Sequence, residues 1–185
     1  MSRRGADLLR TACVTVLGSG FAPFASGTWG SLAAAAMLIG AVAMVRGGGG
    51  GDGAVQVVIA VGVLAACWAS VAFGPWAVAR FGRKDPKPFV LDEFAGQWLA
   101  MLALPGAALL SVGWLTQLGF QFVLFRALDV WKPAPGRQLE RLPHGWGILL
   151  DDLSSAVYAN LIAQAAWRVP ALSTWLAQNS QPIYP

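Results

Sequence analysis

Two runs without a single charged residue decide most of what this chain can be: Ala54 to Ala79, and Phe94 to Phe125. Each exceeds the ~20 residues that an α-helix needs to cross a hydrocarbon core. Inside lipid only helices and closed barrels leave no backbone group unsatisfied. The second run is too long for one crossing, because at 1.5 Å per residue it would extend ~48 Å against a core of ~30 Å. Pro105-Gly106 is its natural break, which gives one helix starting near Asp92 and another from about Ala107 to Val130. Leu32 to Val45 is alanine-rich and uncharged, and it reaches spanning length with Thr28 to Ser31 added. A last apolar helix runs from about Ile148 to Trp167, with Asp151 and Asp152 in its first turn. Pro75 should kink or end the Ala54–Ala79 helix. The pattern predicts an all-α, membrane-embedded bundle of about five helices, without internal repeats, in a single domain spanning residues 1–185.

The segments between these helices add detail. Residues 1–17 make a basic start with Arg3, Arg4 and Arg10, and Gly18, Gly20 and Pro23 break the apolar run that follows. No small-residue cleavage site follows a clean apolar core, so a cleaved signal is not expected. Gly18 to Ser31 reads GSGFAPFASGTWGS, too glycine-rich for a helix interior yet apolar. Such a stretch is either a loop leading into a helix or a re-entrant segment covered by protein, with Thr28 and Ser31 offering hydroxyls to a ligand. Residues 46–53 read as a flexible glycine loop and residues 169–185 as a C-terminal tail. Basic residues cluster in 3–10, 80–87 and 126–141, whereas Arg46 and Arg168 stand alone. The positive-inside bias puts the three clusters, and the acidic motifs with them, on the cytoplasmic side. Trp29, Trp98 and Trp131 are expected to anchor at the interface.

Charged residues are only 12% of the chain, against ~25% for an ordinary soluble protein. The net charge of +4 suits anionic headgroups. The basic residues form no stripe, so nucleic acid is not an expected partner. Cys13 and Cys67 are far apart in apolar contexts and read as small hydrophobes, with no CxxC pair or cysteine-phosphatase loop.

Against this apolar background the acids stand out. Asp92-Glu93 and Asp151-Asp152 are adjacent pairs, and Asp129 lies three residues from both Arg126 and Lys132. Taken singly, Asp92 and Asp151 or Asp152 could be helix N-caps, and Asp129 could pair with Arg126 at i,i+3. Taken together, they sit at one predicted membrane depth, and a cap needs one carboxylate where an all-oxygen Mg²⁺ site needs several. Lys87, Arg126 and Lys132 interleave with the acids, and carboxylates that hold metal beside cations that clamp an oxyanion suit phosphoryl chemistry. His144 is the only histidine, which excludes a two-histidine phosphatase mechanism; it lies in a polar loop where it could touch substrate.

Three stretches, GSGFAPFASGTWGSLAA (18–34), VLDEFAG (90–96) and FRALDVWKPAPGRQLERLPHGWGILLDD (125–152), together resemble the phosphatidylglycerophosphatase A family in order and spacing. The resemblance implies an all-helical, Mg²⁺-dependent lipid phosphatase of the bacterial cytoplasmic membrane, multi-pass, with its active site facing the cytoplasm. Its substrate would be phosphatidylglycerophosphate, yielding phosphatidylglycerol and inorganic phosphate. It marks Asp92, Glu93, Asp129 and Asp152 as catalytic and the same four with Asp151 as metal ligands. Thr28, Ser31, Lys87, Arg126 and Lys132 would bind the phosphate. The chain departs from the family pattern at Ser26, where a proline is common, at the LSSA step after the acidic pair, and at His144-Gly145. An aspartyl-phosphate route with the same residues stays open beside attack by water. Two other classes compete: a CDP-alcohol phosphotransferase, whose aspartates would be packed into one short region, and a cation transporter, whose acids would line mid-membrane rather than helix ends.

Overall fold

The computed structural model describes residues 2–105, 107–142 and 145–181, and His144 lies outside them. Among the described residues the chain forms helices only: α1 Arg3–Val14, a 3₁₀ turn Ser19–Phe21, α2 Ser26–Gly47, α3 Asp52–Phe81, α4 Leu91–Ala100, α5 Val112–Trp131, α6 Gly136–Leu139, α7 Gly145–Ala166 and α8 Pro170–Gln178. The apolar helices expected from the sequence correspond to α2, α3, α4, α5 and α7. Two of them, α2 and α3, are long and apolar enough to cross a membrane by length and composition. The basic start and the C-terminal tail, to which no helix was assigned from the sequence, contain α1 and α8. Ser2 caps α1 through its hydroxyl, which accepts from Gly5 N at 3.2 Å, and the helix is tied inward where Val90 N donates to Val14 O at 2.9 Å.

The short helix α4 is the hub. It packs against α2, α3, α5 and α7, and every residue in it except Glu93 and Leu99 is buried. At ten residues it is only ~15 Å long, half a hydrocarbon core. The expected helix there would have continued to Pro105, but the chain leaves helical geometry after Ala100, with Ala103 and Leu110 at φ of 54° and 60°. The carbonyls released at this break are taken up by side-chain amides from the surrounding helices. Gln121 donates to Ala100 O at 2.6 Å, Asn160 to Leu102 O at 2.8 Å, Gln164 to Ala103 O at 2.7 Å and Gln117 to Pro105 O at 2.8 Å, while Ala103 N donates to Gln56 Oε1 at 2.9 Å. Irregular backbone is tolerated deep in an apolar bundle only when protein satisfies it in this way. The break also orders the bundle: α4 runs inward from the acidic residues, and the end of α4 lies beside the start of α3.

Four expectations change, the one at Pro75 only in part. Gly18–Ser31 is not irregular throughout, because α2 begins at Ser26 and takes Gly27 and Gly30 into its first turns. Those glycines weaken the helix by ~1 kcal/mol each relative to alanine, and close approach is what they allow. A Cβ at Gly27 would sit 2.2 Å from Glu93 Oε1, and one at Gly30 would sit 2.6 Å from Val90 Cβ. Likewise α7 starts at Gly145, pressed against Ser70 O of α3, so Asp151 and Asp152 fall in its second turn rather than its first. Pro75 does not end α3, which continues to Phe81. Trp98 is not an interface anchor: it is buried, with its indole N–H donating to Ala34 O at 2.9 Å. Trp29 and Trp131 are exposed, as are Trp68 and Trp146.

Candidate active site

Helices α2, α4 and α7 begin at one end of the bundle, and α5 ends there. The first turn of α4 presents Asp92 and Glu93. No side chain caps this helix, whose N-cap is Val90; Asp92 Oδ1 instead accepts from Glu93 N at 3.0 Å. The last turns of α5 present Arg126 and Asp129, and the second turn of α7 presents Asp151 and Asp152. One oxygen each from Asp92, Glu93 and Asp152 lie within 4.8 Å of one another, and so do oxygens from Asp129, Asp151 and Asp152. Asp152 belongs to both groups and joins them. All five acids are buried except Glu93, which is half-buried.

The cations are arranged around this double group. Arg126 Nη1 is 2.8 Å from Asp129 Oδ2 and 3.9 Å from Glu93 Oε1, so it braces two acids from behind without lining the cavity. Lys132 follows α5 in a left-handed conformation, φ 53°, which turns its side chain back to Asp151, with Glu140 Oε1 at 3.3 Å from its ammonium. Burial works against that charge, but hydrogen bonds and charges from Asp151 and Glu140 outweigh it and raise the Lys132 pKa above the ordinary lysine value. Lys132 is therefore a permanent cation at the cavity wall. The cavity holds about 240 Å³ and is lined by Asp92, Glu93, Asp129, Lys132, Asp151 and Asp152. Lys84, Asp85, Lys87, Glu140 and Ser26 complete the polar part of its wall.

Of the residues singled out in the sequence, the five acids, Lys87 and Lys132 meet at this cavity. Thr28 and Ser31 do not line it: Thr28 is exposed, and Ser31 is fully buried one turn further along α2. Ser26 stands where those hydroxyls were expected, at the very start of α2. Ser26, Lys84, Asp85 and Glu140 were missed. Their polar, flanking positions offered no pattern beyond proximity to the motifs.

Several carboxylate oxygens have no partner. Glu93 Oε2, Asp151 Oδ1 and Asp152 Oδ2 are buried without a hydrogen bond, and crowding of this kind is strongly unfavourable unless further positive charge is bound. Among the described residues the donor set is all oxygen, and no cysteine lines the cavity. Hard oxygen donors in that number fit Mg²⁺ or a similar divalent cation and not a thiolate-seeking metal.

Comparison with known proteins identifies the family. The family described as phosphatidylglycerophosphatase A matches residues 12–167. A protein of Bacteroides thetaiotaomicron named as a putative phosphatidylinositol-3-phosphatase is 31% identical over 164 residues, covering 83% of this chain and 91% of that one. The phosphatidylglycerophosphatase A of Haemophilus influenzae is 32% identical over 149 residues, covering 80% and 82%. That of Escherichia coli is 40% identical over 77 residues, 41% of each chain. No solved structure matches the chain. The match over nearly the whole helical bundle, acid-bearing turns included, shows that the chain belongs to the phosphatidylglycerophosphatase A family.

Proposed function

We propose that this protein is a phospholipid phosphatase that hydrolyses the terminal phosphomonoester of phosphatidylglycerophosphate to give phosphatidylglycerol and inorganic phosphate. The observation that carries the reading is the convergence of five carboxylates from α4, α5 and α7 on one cavity walled by Lys132. Asp92, Glu93, Asp129, Asp151 and Asp152 would hold Mg²⁺. Bound there, the ion would neutralise charge on the phosphate and lower the pKa of an attacking water. The protein's own part is positioning. Lys132, held by Asp151, offers donors to the phosphate oxygens, and Arg126 keeps Glu93 and Asp129 in place. Lys84 and Lys87 give the cavity mouth a positive edge for an anionic headgroup. A water oxygen forms the new bond to phosphorus, the bond from phosphorus to the glycerol oxygen breaks, and the proton goes to the leaving alkoxide.

The two relatives that match most of this chain carry names for different lipids, but both names describe a phosphomonoester on a phospholipid headgroup. Purified protein in mixed micelles should release inorganic phosphate from phosphatidylglycerophosphate with a higher kcat/KM than from phosphatidylinositol 3-phosphate. The reverse preference would reassign the substrate, and no release from either would sink the reading.

The exposed Trp29, Trp131 and Trp146 ring the acidic end, which suits a site at the membrane interface. We place that end on the cytoplasmic side of a bacterial inner membrane crossed several times, with membrane lipids around the bundle. A reporter inserted near Gly49, between α2 and α3, should read as periplasmic, and one near Gln138, in α6, as cytoplasmic. Both reporting from one side would rule this topology out.

A further inference from the structure

We propose that the space one helical turn inward of the carboxylates is an internal water site built by Gln97, Ser31 and Ser155, whose waters hold Glu93 and Asp152 in orientation. Gln97 is then a positioning residue. The inference rests on the reading that these acids bind a divalent cation.

Gln97 is fully buried in α4, and neither end of its amide has a hydrogen-bond partner. This is not a general property of the bundle's amides, since Gln117, Gln121, Asn160 and Gln164 each donate to a carbonyl. An amide can make up to four hydrogen bonds, and leaving a buried one bare forfeits its hydration without replacement. Ser31 of α2 and Ser155 of α7 are also fully buried, and neither hydroxyl has a partner. Their neighbour Ser154 behaves differently, donating to Asp151 O at 2.8 Å.

Helix register places these three groups at one level. Gly27 of α2 packs against Glu93 of α4, and the Trp98 indole of α4 reaches Ala34 of α2. Gln97 is four residues on from Glu93, and Ser31 is four on from Gly27, so each lies one turn deeper on the same helix face. Ser155 is three residues on from Asp152, whose carboxylate groups with Asp92 and Glu93. Because α2, α4 and α7 all run inward from the acidic end, the three steps point the same way. One turn nearer the acidic end on α4 and α7, Glu93 Oε2 and Asp152 Oδ2 are buried and unpartnered.

No hydrogen bond joins the unpartnered groups of this layer to the unpartnered carboxylate oxygens nearer the acidic end. Water fills such a gap: it needs two to four polar partners, which this layer supplies, and it can donate upward to a carboxylate while accepting from an amide or hydroxyl. Groups behind metal-holding carboxylates fix their orientation, and losing them typically weakens metal binding ~10–100-fold.

The test uses purified full-length protein in micelles titrated with Mn²⁺ alone, with free Mn²⁺ read by electron paramagnetic resonance. Gln97→Met keeps length and removes the hydrogen bonds; its Mn²⁺ affinity should fall ~10–100-fold. Gln97→Asn, which keeps an amide, should restore part of that loss. The Ser31→Ala, Ser155→Ala double variant should weaken binding in the same direction, and it gives the reading if Gln97→Met does not fold. Parent-like affinity in Gln97→Met, with equal or higher thermal stability, overturns the water site and leaves the metal reading standing. A parent protein that binds no Mn²⁺ overturns both.

Discussion

Replacing Asp92, Glu93, Asp129 or Asp152 by the isosteric amide should lower turnover by ~100-fold or more, the usual effect of deleting a charge that acts in the transition state. These variants should stay folded. Val90 is the N-cap of α4, without a side-chain cap, and Asp92 uses only Oδ1 to accept from Glu93 N, a bond that asparagine also makes. Asp151 and Asp152 lie in the second turn of α7, beyond any capping position. The geometry grades the series. Asp152 is common to both groups of acids, so Asp152→Asn should be the most damaging. Asp151 is committed to Lys132, and Asp151→Asn should cost nearer ~10-fold, as the loss of a supporting partner does. Asp7→Asn and Asp52→Asn serve as controls, because these acids pair with Arg10 and Arg46 on the exposed surface, where ion pairs contribute little. Steady-state phosphate release, with circular dichroism to verify folding, decides the matter. Parent rates in folded amide variants would mean that the acids do no chemistry.

Much of this arrangement was legible because the chain is so short of charge. With apolar residues filling the helices, the acids could only fall at helix ends or in the bundle's polar cavity, and the runs from Ala54 to Ala79 and Phe94 to Phe125 marked the bundle itself. What the sequence hid were features set by pairs of distant segments. The glycines at 27 and 30 looked like helix breakers, and only the approach of Glu93 and Val90 explains them as packing positions. The early end of α4 was equally hidden. Leu-Ala-Met-Leu-Ala-Leu would continue a helix by propensity, and Gln121, Asn160 and Gln164 stabilise the broken backbone from α5 and α7. The role of Arg126 shifted for a related reason. Its sequence position beside Asp129 and Lys132 suggested phosphate contact, whereas its fold position sets one guanidinium nitrogen, Nη1, between Asp129 and Glu93 and off the cavity wall.

Chelation should abolish activity, and excess Mg²⁺ should restore it. Five carboxylates share the cavity region with Arg126 and Lys132 as the only cations that pair with them among the described residues. Without a further cation the acids repel one another and face an anionic phosphate with the wrong sign of charge. Among the described residues no other group at the site offers a route around this. Cys13 sits in α1, where burial raises its thiol pKa and so keeps it from the thiolate form a nucleophile needs. Cys67 lines an apolar groove with Trp68 and Trp146, not the acidic cavity. Metal binding should also register without any substrate. A ligand that binds only the folded state at ~100 times its Kd stabilises it by ~2.7 kcal/mol, so Mg²⁺ should raise the unfolding temperature of the parent protein. The same ion should do little for Asp152→Asn, which removes a charge common to both groups of acids. Full activity in excess chelator, with no metal detected in the protein and no Mg²⁺-dependent rise in stability, would remove the ion from the mechanism and leave the crowded carboxylates to be explained by proton sharing among themselves.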